Sequence, residues 1–363
     1  MRISIIGPAY PLRGGIAHHV YWLRKELTER GHEVQVLSFK KLYPRIFFPG
    51  TTETDTSRLK LDAGALPILT PLNPISWLRA FKRVRGFSAD LVIFQWWQPF
   101  FGLVTGALAR WFKKSGLECV IECHNIFPHE STPLDRPLVT FALSASNHFI
   151  THSANDRETL LTIVGEKDVS VAPLPNLEEF SGSGDSSRSG RTILFFGKVR
   201  KYKGLDVLLA AMPKVLSEIE CKLVVAGEFY DSIDRYRQLI RKHRLEAHVE
   251  IDNRYVPNEE VPDIFNRADV LVLPYLSATQ SGVASIALSN GLPVIASKTG
   301  GLSESVIENV NGLLFPTADS DALADRIISY FTNNLGEVFA ENIRTSRVRS
   351  GDAIVEMIER MAG

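Results

Sequence analysis

The sequence predicts an α/β protein of two doubly wound domains that face each other across a cleft. Three observations carry that expectation. At 363 residues the chain is long enough for two ordinary cores. Short apolar runs alternate with helix-period segments in both halves, the pattern of parallel sheets covered by helices. Between the halves, residues 181–190 (SGSGDSSRSG) have the composition of a flexible linker. The expected division is a first domain at 1–176, a linker at 177–191, a second domain at 192–340, and a C-terminal helix at 341–363 with the option of crossing back to the first. The 41 basic and 41 acidic residues cancel, so no global charge points to nucleic acid, and 45% hydrophobic with 23% charged residues is a globular balance. Cys119, Cys123 and Cys221 stand at no metal-ligand spacing and read as core residues of a reducing compartment. The apolar run at residues 3–6 is too short for a secretory leader or a membrane span, so a cytoplasmic location is expected.

The first half opens with a strand at 3–6, a loop ending in Gly14 and Gly15, a helix from about 16 to 30 stopped by Gly31, and a strand at 33–39. The loop lacks the Gly-x-Gly-x-x-Gly spacing, which disfavours a dinucleotide-binding dehydrogenase, while the glycine pair still lets a ligand approach the helix start. Residues 40–75 read as a long loop region with an aromatic patch at Tyr43, Ile46, Phe47 and Phe48. A strand at 90–95 ends in Gln95 and runs into Trp96, Trp97, Phe100 and Phe101; either these aromatics line a ligand crevice or most of them pack in the core. A strand at 120–122 is followed by His124, Asn125, His129 and Glu130, whose spacing matches no familiar metal set and reads as polar groups at a crevice edge. His148 and His152 flank the strand at 149–151 and read as structural histidines.

The second half is organised around residues 191–217. An apolar run at 193–196 ends at Gly197, a helix-period series starts at Gly204, and Lys198, Arg200, Lys201 and Lys203 lie between them. Free N–H groups at a helix start, the positive end of its dipole and lysine ammonium groups can all act on one anion there, and the two glycines permit close approach. A solvated basic loop is the competing reading. Strands follow at 222–226, 249–252, 270–273, 294–296 and 312–315. After the fourth of this half's strands, Thr279, Gln280, Ser281, Gly282 and Val283 open another helix and offer a second anion site. Glu304 could accept from a ligand hydroxyl or cap a helix, and the sequence leaves both open.

With these residues in place, the chain resembles the glycosyltransferase family 4 proteins, whose GT-B fold consists of two facing Rossmann-like domains. Gly197, Lys198, Lys203 and Gly204 stand where that family has Gly-Arg-x-x-x-x-Lys-Gly, with lysine for arginine. The strings at 268–274 (ADVLVLP), 291–296 (GLPVIA), 300–304 (GGLSE) and 311–316 (NGLLFP) are similar to the family's strings in their usual order. Gly14 and Gly15 match its glycine pair beside the donor phosphate, and His124 and Asn125 match its dyad beside the transferred sugar. The resemblance implies a retaining, metal-independent glycosyltransferase that moves a sugar from a nucleoside diphosphate donor, UDP or GDP type, to a hydroxyl of a saccharide or lipid-linked saccharide, in bacterial polysaccharide or glycolipid synthesis. It needs no further cofactor.

The implied roles are catalytic for His124, Lys198 and Lys203. Donor binding falls to Gly14, Gly15, Asn125, Gly197, Gly204, Arg254, Tyr255, Thr279, Gln280, Ser281, Gly282, Val283 and Glu304. Acceptor contacts fall to Trp96, Trp97 and His129. Peripheral association with the inner membrane face stays open. One departure stands out. The family's pair of glutamates seven residues apart maps onto Ala278 and Ile286, so neither carboxylate is present, and the segment resembles a bacterial subgroup with a Thr-Gln-Ser-Gly-Val string. A nucleotide-sugar binding protein without catalysis, or an epimerase or hydrolase on the same scaffold, are the competing readings.

Overall fold

The computed structural model describes residues 1–43, 52–128, 132–182, 190–346 and 351–362. The chain forms two compact units, with the change from first to second between Pro175 and Asn176. In the first unit the elements are β1 (Arg2–Ile6), α1 (Gly15–Glu29), β2 (Glu33–Phe39), β3 (Leu66–Leu69), α2 (Pro74–Phe87), β4 (Leu91–Trp96), α3 (Gly102–Lys114), β5 (Glu118–Cys123), α4 (Asp135–Leu143), β6 (His148–Thr151), α5 (Ala154–Val164) and β7 (Asp168–Val171). The strands pair in parallel in the order β3-β2-β1-β4-β5-β6-β7. Chain order reverses between β1 and β4, which makes their carboxyl ends the switch point where this architecture binds ligands. β4 is buried at every position, as a parallel strand covered on both faces must be.

The second unit contains β8 (Thr192–Phe196), α6 (Leu205–Glu218), β9 (Lys222–Ala226), α7 (Ile233–Lys242), β10 (Val249–Asp252), α8 (Val261–Asn266), β11 (Val270–Leu273), α9 (Gly282–Ser289), β12 (Val294–Ser297), α10 (Leu302–Ser305), β13 (Gly312–Phe315), α11 (Ser320–Thr332) and α12 (Leu335–Thr345). Its parallel order is β10-β9-β8-β11-β12-β13, so β8 and β11 form the switch point. Residues 57–59 belong to this unit, where the Glu259 carboxylate accepts from the N–H groups of Arg58 at 3.0 Å and Leu59 at 3.3 Å.

The last helix, α13 (Asp352–Ala362), belongs to the first unit. Ile354, Val355 and Ile358 are buried there, and Arg30 bonds Asp352 at 2.8 Å. The 341 boundary expected from sequence is therefore displaced, because Phe339, Ala340 and Ile343 of α12 are core residues of the second unit.

The region 40–75, expected to be loop, holds β3, and α2 follows it. β3 is a four-residue edge strand containing Pro67, which an edge tolerates and a pattern search overlooks. α2 buries its small residues Ser76, Ala80 and Val84 while Ile75 and Leu78 face outward, the reverse of an ordinary amphipathic stripe. Ile46, Phe47 and Phe48 lie outside the described residues. Tyr43 donates to Gln98 and packs 5.5 Å from the Phe100 ring. All three cysteines are free and buried.

Glycines set the spacing of the strand-end loops in the second unit. A Cβ on Gly227 would lie 2.0 Å from the Gly197 carbonyl oxygen, and Gly227 has φ +144°, where side chains are rarely accommodated. Gly227→Ala should therefore lower this unit's stability by roughly 2–4 kcal/mol, read as faster amide exchange across β8 and β9. Gly282→Ala, whose methyl meets open space, should leave exchange unchanged. Equal effects of the two would contradict the packing described.

Candidate functional site

At the switch point of the second sheet, β8 delivers Gly197 at φ +100° and a 3-10 turn, Lys201–Lys203, leads through Gly204 at φ +67° into α6. A Cβ on Gly204 would fall 1.9 Å from the Pro274 carbonyl oxygen, so the loop after β8 lies directly on the loop after β11. Lys203 is only 8% exposed, and its Nζ stands 5.0 Å from the Tyr275 ring centroid. Burial opposes its charge, but Tyr275 and Tyr202 outweigh that and hold its pKa above the ordinary lysine value. A Cβ on Gly197 would stand 3.3 Å from Lys203 Nζ and 3.4 Å from Val283 Cγ2, so these three residues converge. Lys198 is exposed instead, 5.4 Å from the Tyr230 ring, with Arg200 5.3 Å from the same ring. The four cations of the loop therefore do not act as one cluster.

Ser281 caps α9 by accepting from the Ala284 N–H at 3.3 Å. Gln280 Nε2 is buried with no hydrogen-bond partner among the described residues. The Thr279 carbonyl accepts from Gly301 N–H at 2.9 Å, which ties this loop to the one carrying Glu304. Glu304 is exposed in the first turn of α10, and both of its readings survive. Arg254 and Tyr255 follow the edge strand β10, two strands from β8. Arg254 is committed to Asp252 at 2.9 Å and Glu260 at 2.5 Å, which raise its pKa. Ala278 and Ile286 are both buried and apolar at the positions of the missing carboxylates.

In the first unit, Gly14 at φ +129° starts α1 without a side-chain cap, and a Cβ on Gly14 or Gly15 would meet nothing within 4 Å. His124 follows β5, its N–H bonded to the Trp96 carbonyl at 2.8 Å, with Asn125 beside it half-buried. Trp96 corrects a sequence expectation: its side chain is fully buried in the core and donates to the Ile126 carbonyl, so it cannot meet an acceptor. The reason is the pleat, which sets Trp96 on the same face of β4 as Val92 and Phe94 within one core cluster, while Trp97, beyond the strand and partly exposed, lies 4.2 Å from the Phe101 ring. His129 lies outside the described residues. His148 is structural, 3.0 Å from Asp168.

The structure also assembles a group that sequence reasoning left out. His19 from α1, Glu122 from β5 and His152 after β6 meet at His124. Glu122 accepts from His19 Nε2 at 2.8 Å and from Gln95 Nε2 at 2.7 Å, with His152 Nε2 at 3.5 Å. His124 Nε2 lies 2.6 Å from Gln95 Oε1, and its ring is 4.9 Å from that of His19 and 5.1 Å from that of His152. Burial alone would raise Glu122, but His19, His152 and His124 hold its carboxyl well below the usual range. Burial, with His19 and His152, pushes His124 well down, and burial lowers His152 to about 4. His19, His124 and His152 present one nitrogen each within 4.8 Å of one another. Tetrahedral ligation at about 2.0–2.1 Å would bring such nitrogens to roughly 3.3–3.4 Å from one another, and Glu122 and Gln95 each bond one ring. The legible signal was register: Gln95 and Glu122 are paired neighbours on β4 and β5, two polar residues at equal depth in buried strands.

Two parallel-sheet, Rossmann-like units with these switch points define the GT-B fold. Solved structures agree. Sucrose-phosphate synthase from Thermosynechococcus elongatus matches with a TM-score of 0.74 at 19% identity, covering 99% of this chain and 98% of that one. HepE from Anabaena, solved with UDP, matches with a TM-score of 0.74 at 15% identity, covering 100% and 98%. The glycosyl transferase 4-like domain family matches residues 14–176, and the glycosyl transferases group 1 family matches residues 190–333. Each half of the chain thus matches a glycosyltransferase domain, the first the 4-like model and the second the group 1 model. Among curated relatives, the gpi3 subunit of phosphatidylinositol N-acetylglucosaminyltransferase from Schizosaccharomyces pombe is 25% identical over 92% of this chain and 75% of its own length. N-acetyl-alpha-D-glucosaminyl L-malate synthase from Bacillus anthracis is 21% identical over 94% and 92%. Among the described residues, no helix is long and apolar enough to cross a membrane.

The buried cluster sets a pH dependence. His124 and His152 have folded pKa values below the unfolded 6.5, so between pH 6.5 and about 4 the unfolded chain binds more protons and stability falls as pH falls. Glu122, depressed from 4.5, adds a loss as pH drops below that value. All five tryptophans lie in the first unit, so their fluorescence follows its unfolding. His152→Phe should lower the slope between pH 6.5 and 4 by one proton, about 1.4 kcal/mol per pH unit; an unchanged slope would show that His152 does not titrate with folding.

Proposed function

We propose that the chain is a retaining, metal-independent hexosyltransferase that moves a sugar from a nucleoside diphosphate donor of the UDP or GDP type to a hydroxyl of a saccharide or lipid-linked saccharide, in polysaccharide or glycolipid assembly. The convergence of Gly197, Lys203 and Val283 carries this reading. It offers a buried ammonium, a position bare of side chain and the first turn of α9 at one switch point. A departing diphosphate gains negative charge in the transition state, and a fixed cation in a dry site is worth on the order of 3 kcal/mol to it. The transferred carbon passes through an oxocarbenium-like state, and the leaving phosphate takes the proton of the incoming hydroxyl on the same face. Lys203 supplies charge that a divalent ion supplies in other sites. Gln280, its amide nitrogen buried and unpartnered, is placed to donate to the ligand. HepE was solved with UDP and UDP-glucose, and the two curated relatives are named for N-acetylglucosaminyl compounds, which agrees with a nucleotide sugar here.

A second reading, binding of a nucleotide sugar without transfer, is favoured by Ala278 and Ile286, which cannot accept from hydroxyls. The acceptor side is assigned to the first unit, near Trp97. Peripheral contact with the inner membrane face is supported by α2 and the turn before it, where Leu72, Ile75 and Leu78 are exposed beside the exposed Arg79, Lys82, Arg83 and Arg85, with no acidic residue from 71 to 89.

Lys203→Ala and Lys198→Ala should each weaken nucleoside diphosphate binding by roughly 1.5–3 kcal/mol, with Lys203 the larger because it is buried, and Gly282→Val should abolish transfer while the fold survives. Chelators should leave transfer intact. Unchanged affinity in both lysine variants, or loss on chelation restored by one divalent metal, would overturn the mechanism, and donor binding without transfer to any acceptor would establish the second reading. For the membrane, the chain should sediment with vesicles containing anionic lipid, and Ile75→Ser with Leu78→Ser should release it; equal sedimentation of both proteins would rule out α2 as the contact.

A further inference from the structure

The hydrogen positions in the buried cluster of the first unit are dictated from one end. An ionised carboxylate carries no hydrogen, so each group hydrogen-bonded to Glu122 must donate: Gln95 Nε2 to Oε2 at 2.7 Å and His19 Nε2 to Oε1 at 2.8 Å, while His152 Nε2, 3.5 Å from Oε1, makes no hydrogen bond among the described residues. A primary amide has its nitrogen and oxygen on opposite arms. With the nitrogen turned to Glu122, Gln95 presents Oε1 to His124 Nε2 at 2.6 Å, and that nitrogen must carry the hydrogen. The other ring nitrogen, Nδ1, then holds a lone pair.

We propose that Glu122 and Gln95 are positioning residues that fix His124 as the Nε2–H tautomer, so that His124 meets its ligand through Nδ1 as a hydrogen-bond acceptor. The proposal rests on the glycosyl-transfer reading for the identity of that ligand. It gives a definite hydrogen-bonding role to the histidine that the family resemblance sets beside the transferred sugar. It also narrows the chemistry: Nδ1 recognises a group that donates, a hydroxyl of the sugar or the acceptor, and disfavours a phosphate or carboxylate oxygen, which brings no hydrogen. The polarity of the chain depends on the charge of Glu122. A neutral group there could take the amide oxygen, turn the amide nitrogen toward His124 and leave Nδ1 as the donor.

The neighbours support this polarity. Glu122 is entirely buried, with three imidazoles and one amide around it. His152 gives its Nδ1 hydrogen to the Ala172 carbonyl at 3.0 Å, so it does not compete for Gln95. β-sheet register fixes the amide, because Gln95 and Glu122 are paired residues of adjacent strands. The crowding of Gly7, where a Cβ would lie 2.6 Å from Gln95 Cγ, confines the same side chain from the other side.

Long-range nitrogen–proton correlation on the full chain with labelled histidine, at pH 7.5, reads the tautomer directly, with His124 assigned from the signal lost in His124→Asn. The expected spectrum shows His124 protonated at Nε2 and bare at Nδ1. Protonation at Nδ1, or at both nitrogens, would overturn the proposal. Glu122→Gln and Gln95→Leu should each populate the Nδ1–H form, and Gln95→Leu should lower kcat about 10-fold with nucleoside diphosphate affinity unchanged; a single Nε2–H form in both variants would show that these residues do not set it. Because the wild-type spectrum needs no turnover, a correct tautomer in a chain that transfers no sugar would count against the glycosyl-transfer reading alone.

Discussion

The second unit depends on a steric constraint: at the carboxyl edge of its sheet, neighbouring loops touch backbone to backbone. Gly227 lies on the Gly197 carbonyl, Gly204 on the Pro274 carbonyl and Gly300 on the Ala278 carbonyl, and a Cβ at any of them would fall within about 2 Å of a carbonyl oxygen. This packing brings loops from β8, β9, β11 and β12 into one layer. It places Lys203 under Tyr275 and beside Val283, and so turns four separate strand ends into one surface with a buried cation. A fixed cation costs no reorganisation when an anion departs, which is the physical advantage of building charge into the fold.

The first unit solves a different problem. A buried carboxylate needs donors on each oxygen, and Glu122 obtains them from a strand neighbour and from a helix. The requirement fixes the amide of Gln95 and, through it, the imidazole of His124. The same glycine-led helix start that leaves open space at Gly14 and Gly15 also carries His19, five residues after Gly14, into this cluster. Backbone openness for a ligand and polar order beneath it thus come from one element.

Much of this was legible in the sequence, and the exceptions have physical causes. The two doubly wound sheets followed from short apolar runs alternating with helices, because buried parallel strands leave continuous apolar runs. β3 escaped because a four-residue edge strand with a proline carries almost no pattern, and α2 escaped because its small residues are the buried ones. Lys203 and Val283 were recognisable from loop chemistry, and their meeting was not, since it depends on Gly204 resting on Pro274. Lys198 stood beside Lys203 in the motif but lies out on Tyr230. Trp96 looked like a crevice residue because aromatics at a strand end draw the eye, yet strand alternation turned it into the core. His19 stands more than a hundred positions before Glu122 and His152 another thirty after it, and they meet through the packing of α1 on the sheet and the register of β5 with β6, which no local spacing records.

The central claim is that the strand-end surface of the second unit holds the diphosphate of a nucleotide. Calorimetric titration of the full chain with UDP, GDP and inorganic diphosphate, at low and high salt, tests it most directly. The account requires that at least one nucleoside diphosphate bind in the micromolar range, about −7 kcal/mol, more tightly than inorganic diphosphate and with little salt dependence, because Lys203 is buried. Absence of binding by every nucleoside diphosphate, or affinity that collapses with salt as for an exposed basic loop, would contradict it.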